Sequence, residues 1–296
     1  MTAEEFRECR HPRQSARFWL ALVFAIILSL LALLAVVGTF GLLLIYALLI
    51  VFLVWIGVNI GYANFLANSV RVSSRNYPRL LGILEEMKER IALDKPVEMF
   101  VYQQGEFNAY FQRFFARRAI FLNSELLESG VSDDELRWLI GRFVGQVKAR
   151  HKLGIWNWLI ALAERLIIFN LFIYPFVRAT AYTGDRIALA SIDGDITTVI
   201  SVMNKLLVGR GIGYSIDPAG ILEQNRYVKR SFFAFLARIF QPLPHTLPRY
   251  VDIIGFAARR YPEKFMQFAA ENPSFQAVAS GMSSSSDAAR RSPEEY

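Results

Sequence analysis

The sequence predicts a mainly helical α+β protein: an N-terminal transmembrane helical hairpin, then a helical domain with a small β-sheet. Three observations predict it. Two uncharged runs, residues 18–37 and 42–62, stand side by side near the N-terminus. A capped amphipathic segment follows at 132–151. Short β-rich stretches at 97–102 and 119–122 lie between them. The bulk numbers agree. With 54% hydrophobic residues and a mean hydropathy of +0.29, the chain of 296 residues is too apolar for an ordinary soluble protein; with 20% charged residues it is too polar for a pure membrane bundle. The net charge of +7 suits juxtamembrane attraction to anionic lipid. No basic, aromatic-interleaved module points to nucleic acid. Cys9 is the single cysteine, which excludes an intrachain disulfide and a cysteine-based zinc site.

Residues 1–17 read as a polar tail, with Arg7, Arg10, Arg13 and Arg17 against Glu4, Glu5 and Glu8. The run at 18–37 matches a hydrocarbon core of about 30 Å. It is too long for a cleavable signal peptide, and no small-residue cleavage site follows it. Gly38 and Gly41 break the run, so 18–66 is expected to form a two-helix hairpin. Arg17, Arg71, Arg75 and Arg79 flank its outer ends and none lies in the tip, a bias that places both termini in the cytoplasm.

The domain is expected over 67–279. Pro78 opens a helix where its missing N–H is harmless, and Leu80, Leu81, Leu84, Met87 and Ile91 give that helix one apolar face. Lys95-Pro96 ends it. Strands follow at 97–102 and 119–122, with 105–110 as a loop or short turn between them. Ser132 and Glu135 form a capping box, reinforced by Asp133 and Asp134 at the positive helix end. The helix then runs to about His151. The apolar stretch 155–177 is interrupted by Asn157, Glu164, Arg165 and Asn170. Each charge at mid-membrane costs about 2.5–3.5 kcal/mol, so a helix packed on the domain or lying at the membrane surface is expected. Helices are expected at 178–190, 195–207, 226–240 (basic and aromatic), 249–261 and 265–279, with a proline-rich loop at 242–248. The glycine-rich turn at 209–213 lacks the other parts of a phosphate-binding loop. Residues 280–296 have the composition of a disordered tail.

A zinc-dependent peptidase needs two histidines at i and i+4 on one helix face, with a Glu beside the first as general base. The segment at 139–148 has the position and capping of such a helix. Several pieces in order resemble the HtpX-type membrane zinc metallopeptidases, which are related to the CAAX prenyl proteases, over roughly residues 40–260. They are Val70-Arg71-Val72-Ser73 with the Pro78 helix, Asn108-Ala109-Tyr110, residues 120–127, the Ser132–Leu136 helix start, Tyr182 with Asp185-Arg186, and His245 with Pro248-Arg249. The resemblance implies a gluzincin-like helical metallopeptidase fold. It also implies an H-E-x-x-H motif where this sequence has Arg142, Phe143, Val144, Gly145 and Gln146, and a third ligand where it has Ala181. The expectation is therefore a degenerate zinc site at Arg142, Phe143, Gln146 and Ala181, with no catalytic residue, no metal and no cofactor. Asp185, Arg186, Asn108 and His151 are the positions that the resemblance places behind the ligands or along the pocket. His151 faces the same side as Arg142, either as part of a weak ligand set with Glu164 or Asp185, or as a surface residue at a helix end. Arg142 either pairs with Asp185 or reaches out to solvent.

These expectations describe a catalytically inactive membrane-anchored metallopeptidase homologue that binds, scaffolds or accompanies a membrane protein complex, in the manner of protein quality control. Its partners would be the lipid bilayer and a protein in the membrane or at its cytoplasmic face, with no nucleic acid. The strand at 119–122 would be an edge strand, free to pair with a client by β-augmentation or covered by its own loops. The alternatives are an active zinc metalloendopeptidase with non-standard ligands and a lipid-binding membrane protein.

Overall fold

A computed structural model describes residues 1–39, 41–103, 108–114, 117–127, 131–151, 170–272 and 275. Helices α2 (Gln14–Gly38) and α3 (Leu42–Ala67) are each long and apolar enough to cross a membrane. Gly41 reverses the chain between them at φ +84°, a backbone conformation glycine adopts freely. Thr39 serves both helix ends. Its hydroxyl donates to the Ala35 carbonyl of α2 and accepts from the Leu43 amide of α3, partners that lipid would not supply.

The hairpin is fixed to the domain at both ends. In α2, Phe18, Ala21, Leu22 and Ala25 pack on Ile173, Phe176 and Val177 at the start of helix α6 (Asn170–Ser191). At the end of α3, Tyr62 packs with Phe100, Ala119 and Phe121 on the sheet, and the Phe65 ring lies 4.7 Å from that of Phe121.

The sheet has strands β1 (Val70–Arg71), β2 (Glu98–Tyr102), β3 (Ala109–Phe114) and β4 (Arg117–Asn123), in the order β1-β2-β4-β3. β2 and β4 are parallel; the other pairs are antiparallel. Side-chain alternation explains why both faces are covered. Met99, Val101, Ile120 and Leu122 point into the main core, while Phe100 and Phe121 point to α3. Two expectations are corrected here. The strand at 119–122 is interior, between β2 and β3, because β3 forms where a loop was expected; the edge belongs to β3. Of that loop, Ala109 and Tyr110 lie in β3, and 104–107 fall outside the described residues.

Helix α4 (Pro78–Ile91) begins at Pro78 as expected and buries Leu80, Leu84, Met87 and Ile91. Helix α5 (Asp133–His151) begins with the capping box: the Glu135 amide donates to Ser132 Oγ (3.2 Å) and the Ser132 amide to Glu135 Oε2 (3.0 Å). The remaining helices are α7 (Ile196–Val208), α8 (Pro218–Arg230), α9 (Phe232–Ile239), α10 (Thr246–Arg260) and α11 (Pro262–Glu271). The single helix expected at 226–240 is two. Ser231 restarts the chain, its hydroxyl capping α9 through the Ala234 amide.

The N-terminal segment is not a loose tail. Helix α1 (Ala3–Cys9) has its own capping box, made by Thr2 and Glu5. It buries Phe6 and Cys9 in the main core, and Glu8 pairs with Arg260 at 2.9 Å. Most of the 155–177 stretch lies outside the described residues; only its last part, the start of α6 against α2, is described.

Candidate functional site on helices α5 and α6

Helices α5 and α6 approach each other backbone to backbone. A Cβ on Gly184 would fall inside van der Waals contact of the Arg142 carbonyl and 3.0 Å from the Gln146 amide; one on Gly145 would lie 3.0 Å from the Gly184 carbonyl. Two glycines that look unremarkable in sequence thus let the helices close. The closure sets Arg142, Phe143 and Gln146 on α5 beside Ala181 and Asp185 on α6, and all five are buried.

Arg142 is only 7% exposed. Its guanidinium lies 4.5 Å from the Phe143 ring centroid and 5.7 Å from that of Trp138. Its Nε and Nη1 find no hydrogen-bond acceptor among the described residues. Burial, helped by the Arg249 charge and partly opposed by Asp185, pushes its pKa down to about 9. The expected Arg142–Asp185 pair is not formed. Asp185 is held instead by Arg249 of α10, which donates from Nε (2.8 Å) and Nη2 (2.6 Å) to its two oxygens. One residue on, Arg186 makes the same bidentate contact with Asp252, at 2.9 and 2.6 Å. An Asp-Arg step on α6 thus meets Arg249 and Asp252, three apart on one face of α10. Sequence reasoning missed this pairing, although the complementary signs at 185, 186, 249 and 252 are a signal for it.

Phe143 stacks with Phe111 of β3, ring centroids 6.2 Å apart, so the edge strand lies directly beside the helix that carries Arg142. Asn108, before β3, organises the strand start: its carbonyl accepts from the Asn123 amide and its side chain bonds Tyr110. His151 ends α5, and its side chain lies outside the described residues, as do Glu164 and Arg165. His245 precedes α10 as its N-cap residue. His11, placed before the membrane in the sequence, reaches the site region after all. Its ring lies 5.3 Å from Tyr182, and its amide donates to Thr183 Oγ1. Next to it, Gln14 bridges the two site helices, donating to the Ala149 carbonyl and accepting from Thr183. Desolvation, with the nearby Arg186, Arg17 and Arg13 charges, holds His11 down at about 3, so it is a neutral ring at pH 7. Burial raises Tyr182 to about 12.

A guanidinium, a phenyl ring, a carboxamide and a methyl group stand at the four positions where the resemblance implies zinc ligands and a base. That donor set does not fit a zinc ion, which requires imidazole, thiolate or carboxylate donors. Among the described residues no group of three or more His, Cys, Asp or Glu side chains is placed to hold a metal. No chemical step is therefore assigned to a metal at these positions. The arrangement offers a buried cation with free donors beside an edge strand.

Fold and site together define a helical domain with a small mixed sheet beside two closely paired helices, preceded by two helices long and apolar enough to cross a membrane. Residues 74–215 match the model of Peptidase family M48, which supports a relationship to the HtpX-like peptidases. No curated protein and no solved structure matches the chain. The family match corrects one expectation. The sequence was read as that of a non-enzyme, because the zinc-ligand positions are substituted; a peptidase-family domain points to a protease, and nothing in the structure shows that activity is lost.

Proposed function

We propose that this M48-family domain engages a polypeptide at the membrane face, as a binding, scaffolding or accessory subunit of a membrane protein complex. The observation that carries the reading is the open edge of β3. Among the described residues β3 pairs only with β4, and its other edge presents backbone donors and acceptors. A client strand added there would run near Phe143, whose ring stacks with Phe111 of β3. The arginines at 17, 71, 75 and 79 support a cytoplasmic position for both termini.

The family match favours a second reading, in which the domain also cuts what it binds. Its catalytic groups then come from outside Arg142, Phe143, Gln146 and Ala181. One preparation separates the two. The full chain, purified in detergent, is mixed with casein and scored for binding by pull-down and for fragments by mass spectrometry, with zinc measured by elemental analysis. Binding that is lost on Gln112→Pro in β3, without fragments, supports the first reading; chelator-sensitive fragments with stoichiometric zinc support the second. Binding unaffected by the proline removes β3 from the proposal.

A further inference from the structure

Helix α9 shows its apolar face to the outside. At helical spacing Phe232, Phe233, Phe235, Leu236, Ile239 and Phe240 fall within an arc of about 160°, with Ala234 and Arg238 opposite. In a globular domain that arc faces the core. Here no residue of the helix is buried; Phe232 is 68% exposed, Phe233 78% and the adjoining Phe240 69%. A contiguous aromatic patch of this kind marks an interaction surface.

Its place in the fold says which surface covers it. Arg178 of α6 donates to the carbonyls of Arg238 (2.8 Å) and Gln241 (2.7 Å), tethering the C-terminal end of α9. Arg178 follows directly on the part of α6 that packs along the first turns of α2, where the Phe18 and Phe176 rings are 5.6 Å apart and the Phe24 and Phe172 rings are 3.6 Å apart. Beside them Arg17, the last charge before the apolar run of α2, donates to the Pro175 carbonyl at 3.4 Å. The end of α9 is therefore held at the level where α2 passes from polar to apolar sequence. The charge around it has one sign. From Gln224 to Val251 there is no acidic residue, while Arg226, Lys229, Arg230, Arg238 and Arg249 lie within that span. Arg226, Lys229, Arg230 and Arg238 are exposed.

We propose that α9 is an interfacial membrane helix. Its aromatic face lies in the headgroup–acyl boundary of the leaflet through which α2 emerges, and Lys229, Arg230 and Arg238 rest among anionic headgroups. The domain is thereby held flat on the same bilayer that the hairpin spans, by a contact separate from the hairpin. Amphipathic helices with aromatic residues on one face and basic residues around it bind bilayers in this way, buried about 5–10 Å into the boundary. The inference is independent of what the β3 edge binds.

The test uses the full chain in nanodiscs of phosphatidylserine with brominated phosphatidylcholine. An environment-sensitive fluorophore is attached at Phe233→Cys in a Cys9→Ala background. The same label at Glu89→Cys, an exposed position on α4, is the control. The expected result is blue-shifted emission from position 233 that brominated lipid quenches, as for a probe at the acyl boundary, with no quenching at position 89. A red, unquenched label at 233 overturns the proposal, because the face is then in water. A blue but unquenched label also overturns it, because protein, either a partner or a second copy, then covers the face. Position 233 is exposed, so labelling does not disturb the core.

Discussion

Two buried arginines that share the influence of one carboxylate behave in opposite ways. Arg249 and Arg142 are both buried, and both feel Asp185. Arg249 reaches it with two parallel hydrogen bonds. Burial alone would lower its pKa, but the carboxylate more than offsets this and raises it. Arg142 has aromatic rings for neighbours and two N–H groups without acceptors among the described residues, and its pKa falls to about 9. Burial is common to both. What separates them is a bidentate partner, the condition under which a buried guanidinium is tolerated. Arg249 is thus part of the structural frame, and Arg142 is a cation kept in reserve beside β3.

The largest effect should come from breaking the satisfied side of this comparison. Arg249→Met leaves Asp185 buried without its bidentate partner and should lower stability by about 3–5 kcal/mol, measured by thermal unfolding in detergent. A loss below about 1 kcal/mol would mean that Arg142 swings onto Asp185 and takes over the role, making the two arginines interchangeable.

Next in size is Gly184→Ala, which forces α6 away from the Arg142 carbonyl. Overpacking of this kind typically costs about 1–3 kcal/mol, and more where only backbone can give way. Reduced cross-linking between cysteines placed on α5 and α6 would report the separation; unchanged stability would show that the two helices can slide. Smaller still is Arg142→Met. It removes the unpaired donors and keeps the contact with Phe143 and Trp138, so stability should hold or rise by up to about 2 kcal/mol. A marked loss would show that Arg142 has a partner in the folded protein after all.

Much of the frame was legible in the sequence. The helix starts at Pro78 and Ser132, the two apolar runs and strand β2 all rest on local chemistry that the chain carries within a few residues. What was not legible depends on distant residues. β3 reads Ala-Tyr-Phe-Gln-Arg-Phe, with no clean alternation, and becomes a strand because β4 offers it a ladder. Asp185 looked destined for Arg142 because both sit on neighbouring helices; its actual partner is 64 residues away, on a helix whose approach no local pattern fixes. Residues 3–9 carry only Phe6 and Cys9 as strongly apolar side chains among charges, and so read as a tail until α6 and α10 supply a surface for them. Spacing on a helix is local, so which positions share a face of α5 can be read from the chain; the interactions those side chains make cannot.

The smallest predicted effect extends the comparison to a third base, packed against α6 from the N-terminal segment. His11 lies against Tyr182, half-buried, with Arg13, Arg17 and Arg186 as the charges that face it. Like Arg142 it lacks a carboxylate, but unlike Arg142 it can shed its charge at neutral pH. Its pKa in the folded protein is about 3 against an ordinary value of 6.5. The folded state therefore binds fewer protons than the unfolded one between these values, so the docked N-terminal segment keeps its full stability above pH 6.5 and loses it progressively as pH falls toward 3. Proteolysis of residues 1–13 should accelerate between pH 6.5 and 4.5, with the α10 region still protected. His11→Gln should flatten that dependence while keeping the backbone bond to Thr183. An unchanged pH profile in the variant would assign the loosening to a group other than His11.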